Sequence, residues 1–132
     1  MIQKFGLIII RNRKVLLCRP HAYNDLIVPG GVIEGNETPL ENLTREVREE
    51  LGEDCILDDR SLKYYGEFSD VAAGRPGRIV RIQLYGGILS GDVYPSSEIK
   101  ELIWYSTDMS ELLSPVVMNK IVPYLLEQGL ID

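Results

Sequence analysis

Apolar residues in this chain recur with two different periods, and the places where the period changes mark its elements. Residues 3–10 and 14–19 are short, nearly continuous apolar runs. The polar Arg11-Asn12-Arg13 between them predicts a hairpin. Leu26-Ile27-Val28 then leads into a Pro29-Gly30-Gly31 turn. After it the period becomes helical: Leu40, Leu43, Val47 and Leu51 line one narrow stripe at about 100° per residue, so this helix must dock against a core. Thr38 fits its N-cap, Pro39 its first position and Glu41 the return half of a capping box, with Gly52 as the stop.

Further on, residues 55–57 and 62–68 read as short strands around an Asp58-Asp59-Arg60 turn. A long hairpin loop is expected over residues 69–77, then a strand over 79–88 that Ser90-Gly91-Asp92 turns over. Residues 98–105 suggest a loop running into a strand that ends on aromatics, where Trp104 would cap the core. Ser114-Pro115 opens a last helix whose broad apolar face is expected to comprise Val116, Val117, Met118, Ile121, Val122, Leu125 and Leu126, and Pro123 should kink it. Strands, helix, strands and a terminal helix make this an α/β chain with a mixed sheet between helices.

Charge changes the reading of the first helix. Glu46, Glu49 and Glu50 fall in one sector roughly 100° wide beside the apolar stripe, with Glu46 and Glu50 stacked at i,i+4 and no lysine of the helix among them. Arg45 and Glu49 are also i,i+4, so the arginine can hold one carboxylate. Carboxylates crowded beside a packed face raise one another's pKa or recruit a cation, and an all-oxygen set suits hard ions such as magnesium, manganese or calcium. A solvated acidic face is the plain alternative for the helix taken alone.

The spacing carries more than the helix does. Gly31, five residues, Glu37, seven residues, then Arg45-Glu46-Val47-Arg48-Glu49-Glu50-Leu51-Gly52 closely resembles the box of the Nudix hydrolase family. One position departs: Glu53 stands where that family has an aliphatic residue, and Ile56 is the nearest residue able to fill the helix exit. The resemblance implies an α/β/α sandwich and metal-dependent hydrolysis of a nucleoside diphosphate linked to a further group X, giving a nucleoside monophosphate and phosphate-X. It implies that Glu46 and Glu50 hold Mg2+ (or Mn2+) with the Gly31 carbonyl, that Glu49 completes the cluster and that Arg45 orients it. Glu98, a few residues before Trp104, matches a position at which many members carry a further metal ligand or base, and matches it better than Glu101 does. The base stays open among Glu46, Glu49 and Glu98. Non-catalytic relatives, the alternative class of nucleotide sensors and protein-binding modules, typically lose box glutamates, whereas this chain keeps them all.

Composition then bounds the rest. The chain of 132 residues is of one-domain size, and its net charge of -6 argues against general binding of nucleic-acid polymers. The residue 5–10 run is too short for a membrane span and lacks a signal-peptide cleavage site, so a cytoplasmic protein with reduced Cys18 and Cys55 is expected. Arg19 is a candidate phosphate contact, with a surface ion pair as the alternative; Arg75 and Arg78 are candidates for the acidic end of a ligand or of a second subunit in a homodimer, with plain solvent-facing arginines as the favoured alternative. His21, the only histidine, reads as a loop residue. No clear auxiliary signature marks an ADP-ribose, dinucleoside polyphosphate or coenzyme A specialist, which favours a nucleoside triphosphate-type substrate, oxidised forms included, by elimination, with ADP-ribose, a nucleotide sugar or a dinucleoside polyphosphate as the alternatives.

Overall fold

The first apolar run feeds two sheets instead of one. In the computed structural model, which describes residues 1–132, β1 (Ile2–Ile8) ends one residue before β2 (Ile10–Arg11), and the break at Ile9 sends the chain from one sheet into another. β1 pairs antiparallel with β4 (Gly30–Val32) and parallel with β7 (Ile79–Gly86), and β6 (Lys63–Val71) adds antiparallel to β7. The order β4-β1-β7-β6 is therefore a mixed sheet. The second sheet is antiparallel, β2-β3-β9, with β3 spanning Lys14–Pro20 and β9 Ile99–Tyr105. A two-stranded ribbon joins β5 (Ile56–Leu57) to β8 (Leu89–Ser90).

Alternation along β1 divides the core into two layers. Phe5 and Leu7, with Ile9 just beyond, enter a cluster completed by Leu43, Val47 and Leu51 of α1 (Pro39–Leu51). Ile8 enters a second cluster with Val80, Ile82 and Leu84 of β7 and with Val117, Ile121 and Leu125 of the C-terminal helix. Helices thus cover the mixed sheet on both faces, the α/β/α sandwich expected. The capping box of α1 forms in both directions: Glu41 N–H donates to Thr38 Oγ1 at 3.1 Å, and Thr38 N–H to Glu41 Oε1 at 2.9 Å.

Several boundaries differ from the sequence reading. β6 runs three residues past Phe68, so the expected long loop shrinks to the turn between β6 and β7. The β7 strand stops at Gly86, and its parallel ladder with β1 closes on Gly87 N–H donating to Ile8 O at 3.1 Å. Ile56 is 66% exposed and does not fill the helix exit; Cys55 and Leu57 do, while the Tyr94 ring lies so close over Gly52 that a Cβ there would stand 2.5 Å from it. The last helix, residues 115–127, meets Pro123 by winding as a π-helix over Val117–Ile121 before the α-helix Val122–Glu127. Val122 N–H donates to Val117 O, five residues back. Widening the turn in this way relieves the clash a proline ring makes with the carbonyl four residues before it.

Candidate active site

Two glycines let α1 and β4 approach closely enough to build the site. Gly30 has φ 134, and a Cβ on it would lie 2.1 Å from Phe5 O, so neither its conformation nor its packing against β1 admits a side chain. A Cβ on Gly31 would lie 2.2 Å from Glu46 Oε1. The carboxylate of Glu46 therefore rests directly on the β4 backbone. One turn further on, Glu50 Oε1 accepts from Gly30 N–H at 2.9 Å. Glu49, on the solvent side, is 51% exposed at its side chain.

Arg45 draws the surrounding loop onto this helix face. Its Nε donates to Glu37 Oε2 at 3.1 Å and its Nη2 to Glu37 Oε1 at 3.0 Å, the two-pronged pairing that guanidinium geometry favours. Its Nη1 donates to Glu46 Oε1 at 2.9 Å, and Glu49 Oε1 stands at 3.5 Å. Arg45 thus meets Glu37 and Glu46 more closely than Glu49. Asn42, fully buried, donates to Glu37 Oε1 at 3.0 Å and to Val32 O at 3.1 Å, while its own Oδ1 has no partner.

The electrostatics separate these glutamates. Hydrogen bonds from Arg45 and then Asn42 hold the Glu37 carboxyl down at about 2. Burial pushes Glu50 up to about 8; the Gly30 N–H works against that rise and the Glu46 charge adds to it. Burial also raises Glu46, with Arg45 pulling it back. Lys4 on β1 lowers both Glu46 and Glu50 through its charge.

A cleft of about 1320 Å³ opens over this face. Gly31, Arg45, Glu46, Glu49, Glu50, Arg75, Arg78 and Glu98 all line it, so four segments distant in sequence meet around one space. Glu98 is carried in by the turn before β9, where Ser97 has φ 56 and Glu98 O accepts from His21 N–H at 2.9 Å. Arg19 is elsewhere. Its guanidinium donates to Glu101 Oε1 at 2.8 Å and Glu111 Oε2 at 3.0 Å, as well as to Asn24 O, and it does not line the cleft. Lys4, Asn42 and Tyr23 join the site without having been expected there. Lys4 gives a sequence signal only in retrospect, as a charge in register with Ile2 and Ile8 on one face of β1. Asn42, a lone polar residue beside Leu43, gives a weak one. Tyr23 packs on Gly74, whose Cβ would lie 2.7 Å from the ring, and nothing local in the sequence announces that contact.

The NUDIX domain family model matches residues 3–124. The chain belongs to the NUDIX domain family. It is accordingly a pyrophosphohydrolase of a family that generally uses divalent metal ions. Solved structures agree with the fold. The E. coli ORF135 protein is 25% identical with TM-score 0.68, the match covering 98% of this chain and 89% of that one. The MutT protein from Methanosarcina mazei Go1 is 21% identical with TM-score 0.73, covering 97% and 94%. An ADP-ribose pyrophosphatase from Streptococcus suis 89-1591 is 21% identical with TM-score 0.69, covering 97% and 91%. No curated protein matches the sequence. No helix of this Nudix domain is long and apolar enough to cross a membrane.

The donor set fits a hard cation of a particular kind. No three acidic, histidine or cysteine side chains converge tightly enough to enclose an ion by themselves. Magnesium requires less than that: it is commonly held by one or two carboxylates, with waters and substrate phosphates completing the octahedron. Glu46 and Glu50, shielded and pressed against glycine backbone, supply such a pair.

Proposed function

We propose that this Nudix domain cleaves a phosphoanhydride bond in a small nucleoside diphosphate derivative, most readily a nucleoside triphosphate-type compound, in a reducing cytoplasmic setting. The observation that carries the reading is the division of the cleft by charge: Glu46, Glu49 and Glu50 lie on the α1 side, while Arg75 and Arg78 come from the turn after β6. A polyphosphate laid between them meets cationic groups on one side and carboxylates suited to a bridging cation on the other.

In this reading Glu46 and Glu50, with the Gly31 carbonyl, hold Mg2+ (or Mn2+), and Glu49 completes the set. The ion supplies charge neutralisation on the phosphoryl oxygens. Arg45 fixes Glu46 and, through Glu37, the loop that carries them. Arg75 and Arg78 grip the phosphates. Glu98 takes the proton of the attacking water as its oxygen bonds to phosphorus; the bridging P–O bond breaks and its electron pair leaves with phosphate-X. Arg19 has no part in this, since its donors already serve Glu101, Glu111 and Asn24.

The test is a release assay for nucleoside monophosphate on canonical and oxidised nucleoside triphosphates, ADP-ribose, nucleotide sugars and dinucleoside polyphosphates, with magnesium, with manganese and with chelator. Metal-dependent turnover strongest on the triphosphates is expected. A stronger response to ADP-ribose or a nucleotide sugar would overturn the substrate class, and no release from any compound would overturn the hydrolytic reading.

A further inference from the structure

The segment from Gly91 to Glu98 joins β8 to β9 without forming a strand, and none of its residues is buried. Exposed connections are ordinarily more mobile than the elements they join, yet this one carries Glu98 into the cleft. A general base must stand within hydrogen-bond reach of the water it serves, so something has to hold the segment still.

The end of α1 does so. From the pairing of Ser90 with Ile56, the segment runs back along the helix exit. Gly91 approaches Asp54 O so closely that a Cβ would stand 2.6 Å from it, and Cys55 Sγ–H donates to Asp92 O at 2.9 Å. Tyr94 N–H donates to Leu51 O and Ser96 N–H to Glu50 O, each at 3.1 Å, while Pro95 between them has no N–H to leave unpaired. The last carbonyls of a helix lack partners within it, and here a segment distant in sequence supplies them. Glu50 is consequently held at both ends, its carboxylate by Gly30 N–H and its carbonyl by Ser96 N–H. Backbone bonds open to water add little net stability, however. What covers them is the Tyr94 ring, which is too exposed, at 45%, to serve the core and is seated on Gly52, where a Cβ would stand 2.5 Å from it. Beyond it Ser97 takes a left-handed turn, with φ 56, and Ile99 enters the core beside α1. Glu98 thus stands between two fixed points.

We propose that Tyr94 is a positioning residue for hydrolysis: its ring, seated on Gly52, clamps the 94–98 segment to the end of α1 and so fixes the Glu98 carboxylate relative to Glu46 and Glu50. The clamp acts on catalysis through Glu98, and to that extent it rests on Glu98 being the base. Because Glu50 offers its carboxylate to the cleft and its carbonyl to Ser96, the proton acceptor and a cation-holding group are registered to each other through a single residue.

The experiment takes as substrate, with magnesium, the compound of the release assay above that the parent cleaves fastest. Tyr94→Ala should lower kcat about tenfold with little change in KM, within the roughly hundredfold that a misplacement of about 1 Å can cost. Tyr94→Phe, which keeps the ring on Gly52, should restore the parent rate. Tyr94→Ala combined with Glu98→Gln should be no slower than Glu98→Gln alone, since a residue acting through Glu98 then has nothing left to position. With neither substrate nor metal present, the Ser96 amide should exchange its hydrogen on the order of tenfold faster in Tyr94→Ala than in the parent. The Asn42 amide, which donates to Thr38 O at the other end of α1, should keep its rate. The proposal is overturned if Tyr94→Ala keeps the parent's kcat, if Tyr94→Phe is as slow as Tyr94→Ala, or if the losses multiply in the double variant. Unchanged exchange at Ser96, or faster exchange at Ser96 and Asn42 alike, overturns it too. Should Glu98→Gln itself keep the parent rate, the base reading fails and the clamp's part in catalysis falls with it; should Glu98→Gln be slow and Tyr94→Ala not, the base reading stands and the clamp alone is lost.

Discussion

Arg45 and Arg19 are each ringed by glutamates, yet the two clusters do different things. Arg45 faces the cleft, bridges the 34–37 loop to α1, and leaves Glu49 and Glu50 outside its close hydrogen bonds. Arg19 lies across β3 and β9, has a side chain only 16% exposed, and ties Glu101, Glu111 and the Asn24 carbonyl together. One arginine keeps carboxylates in place for something else to use; the other consumes its carboxylates in joining strands. The amino acids are the same, and what differs is whether negative charge is left over. Glu98 and Glu101 make the contrast sharp, because three residues of one chain segment separate a glutamate in the cleft from a glutamate on Arg19.

The largest effect should come from the surplus charge. Glu50→Gln keeps shape but removes a charge proposed to hold the cation, and losing several kcal/mol of charge stabilisation is about a thousandfold in turnover. Retention of most activity at saturating magnesium would remove Glu50 from the site. The same variant has a signature in the metal-free protein. The folded-state pKa, about 8, lies above the ordinary 4.5, so the folded state holds this proton more tightly than the unfolded one. Stability from this group is therefore full below pH 4.5 and is lost as pH rises toward about 8. Melting curves of the parent in chelator should fall across that window, and those of Glu50→Gln should be flatter.

Next in size is the paired test on β9. Glu98→Gln should lower the chemical step about a hundredfold, the lower end of general-base assistance, and change the pH-rate profile. Glu101→Gln should leave both intact. Indistinguishable profiles for the two variants would move the base into α1, to Glu46 or Glu49.

Arg45→Lys should cost about tenfold in kcat with a smaller change in KM, since an ammonium cannot bridge Glu37 and Glu46 as the planar guanidinium does. A rise in KM at constant kcat would instead make Arg45 a substrate contact. Smallest of all, Arg19→Met should lower the melting temperature by a few degrees and leave kcat and KM unchanged, as expected for ion pairs worth about 1 kcal/mol or less each. Weakened nucleotide binding in that variant would erase the distinction between the two arginines.

What could be read before folding was whatever is local. The limits of α1 follow from Thr38, Pro39, Glu41 and Gly52 acting within one turn of themselves, and the shared sector of Glu46, Glu49 and Glu50 follows from helix geometry alone. Arg19 illustrates the opposite case: its partner Glu111 is 92 residues away, and nothing near Arg19 distinguishes a phosphate contact from an ion pair. Lys4 comes near the carboxylates because β1 pairs antiparallel with β4, Lys4 opposite Val32, a long-range pairing no local pattern encodes. Ile56 was expected inside because it is apolar and near; β5 pairing with β8 turned its face outward and gave the inner places to Cys55 and Leu57.

The register of β9 against β3 holds one more consequence. Arg19 pairs with Glu101 and Pro20 with Ile99, so Lys100 is an extra residue bulged out of the ladder. Without that bulge strict alternation would resume and the segment before it would rotate by one position. Which glutamate enters the cleft is therefore written in chain length as well as in residue identity. A lineage carrying this fold would change its site chemistry here through a one-codon deletion, with every side chain of the α1 box left untouched.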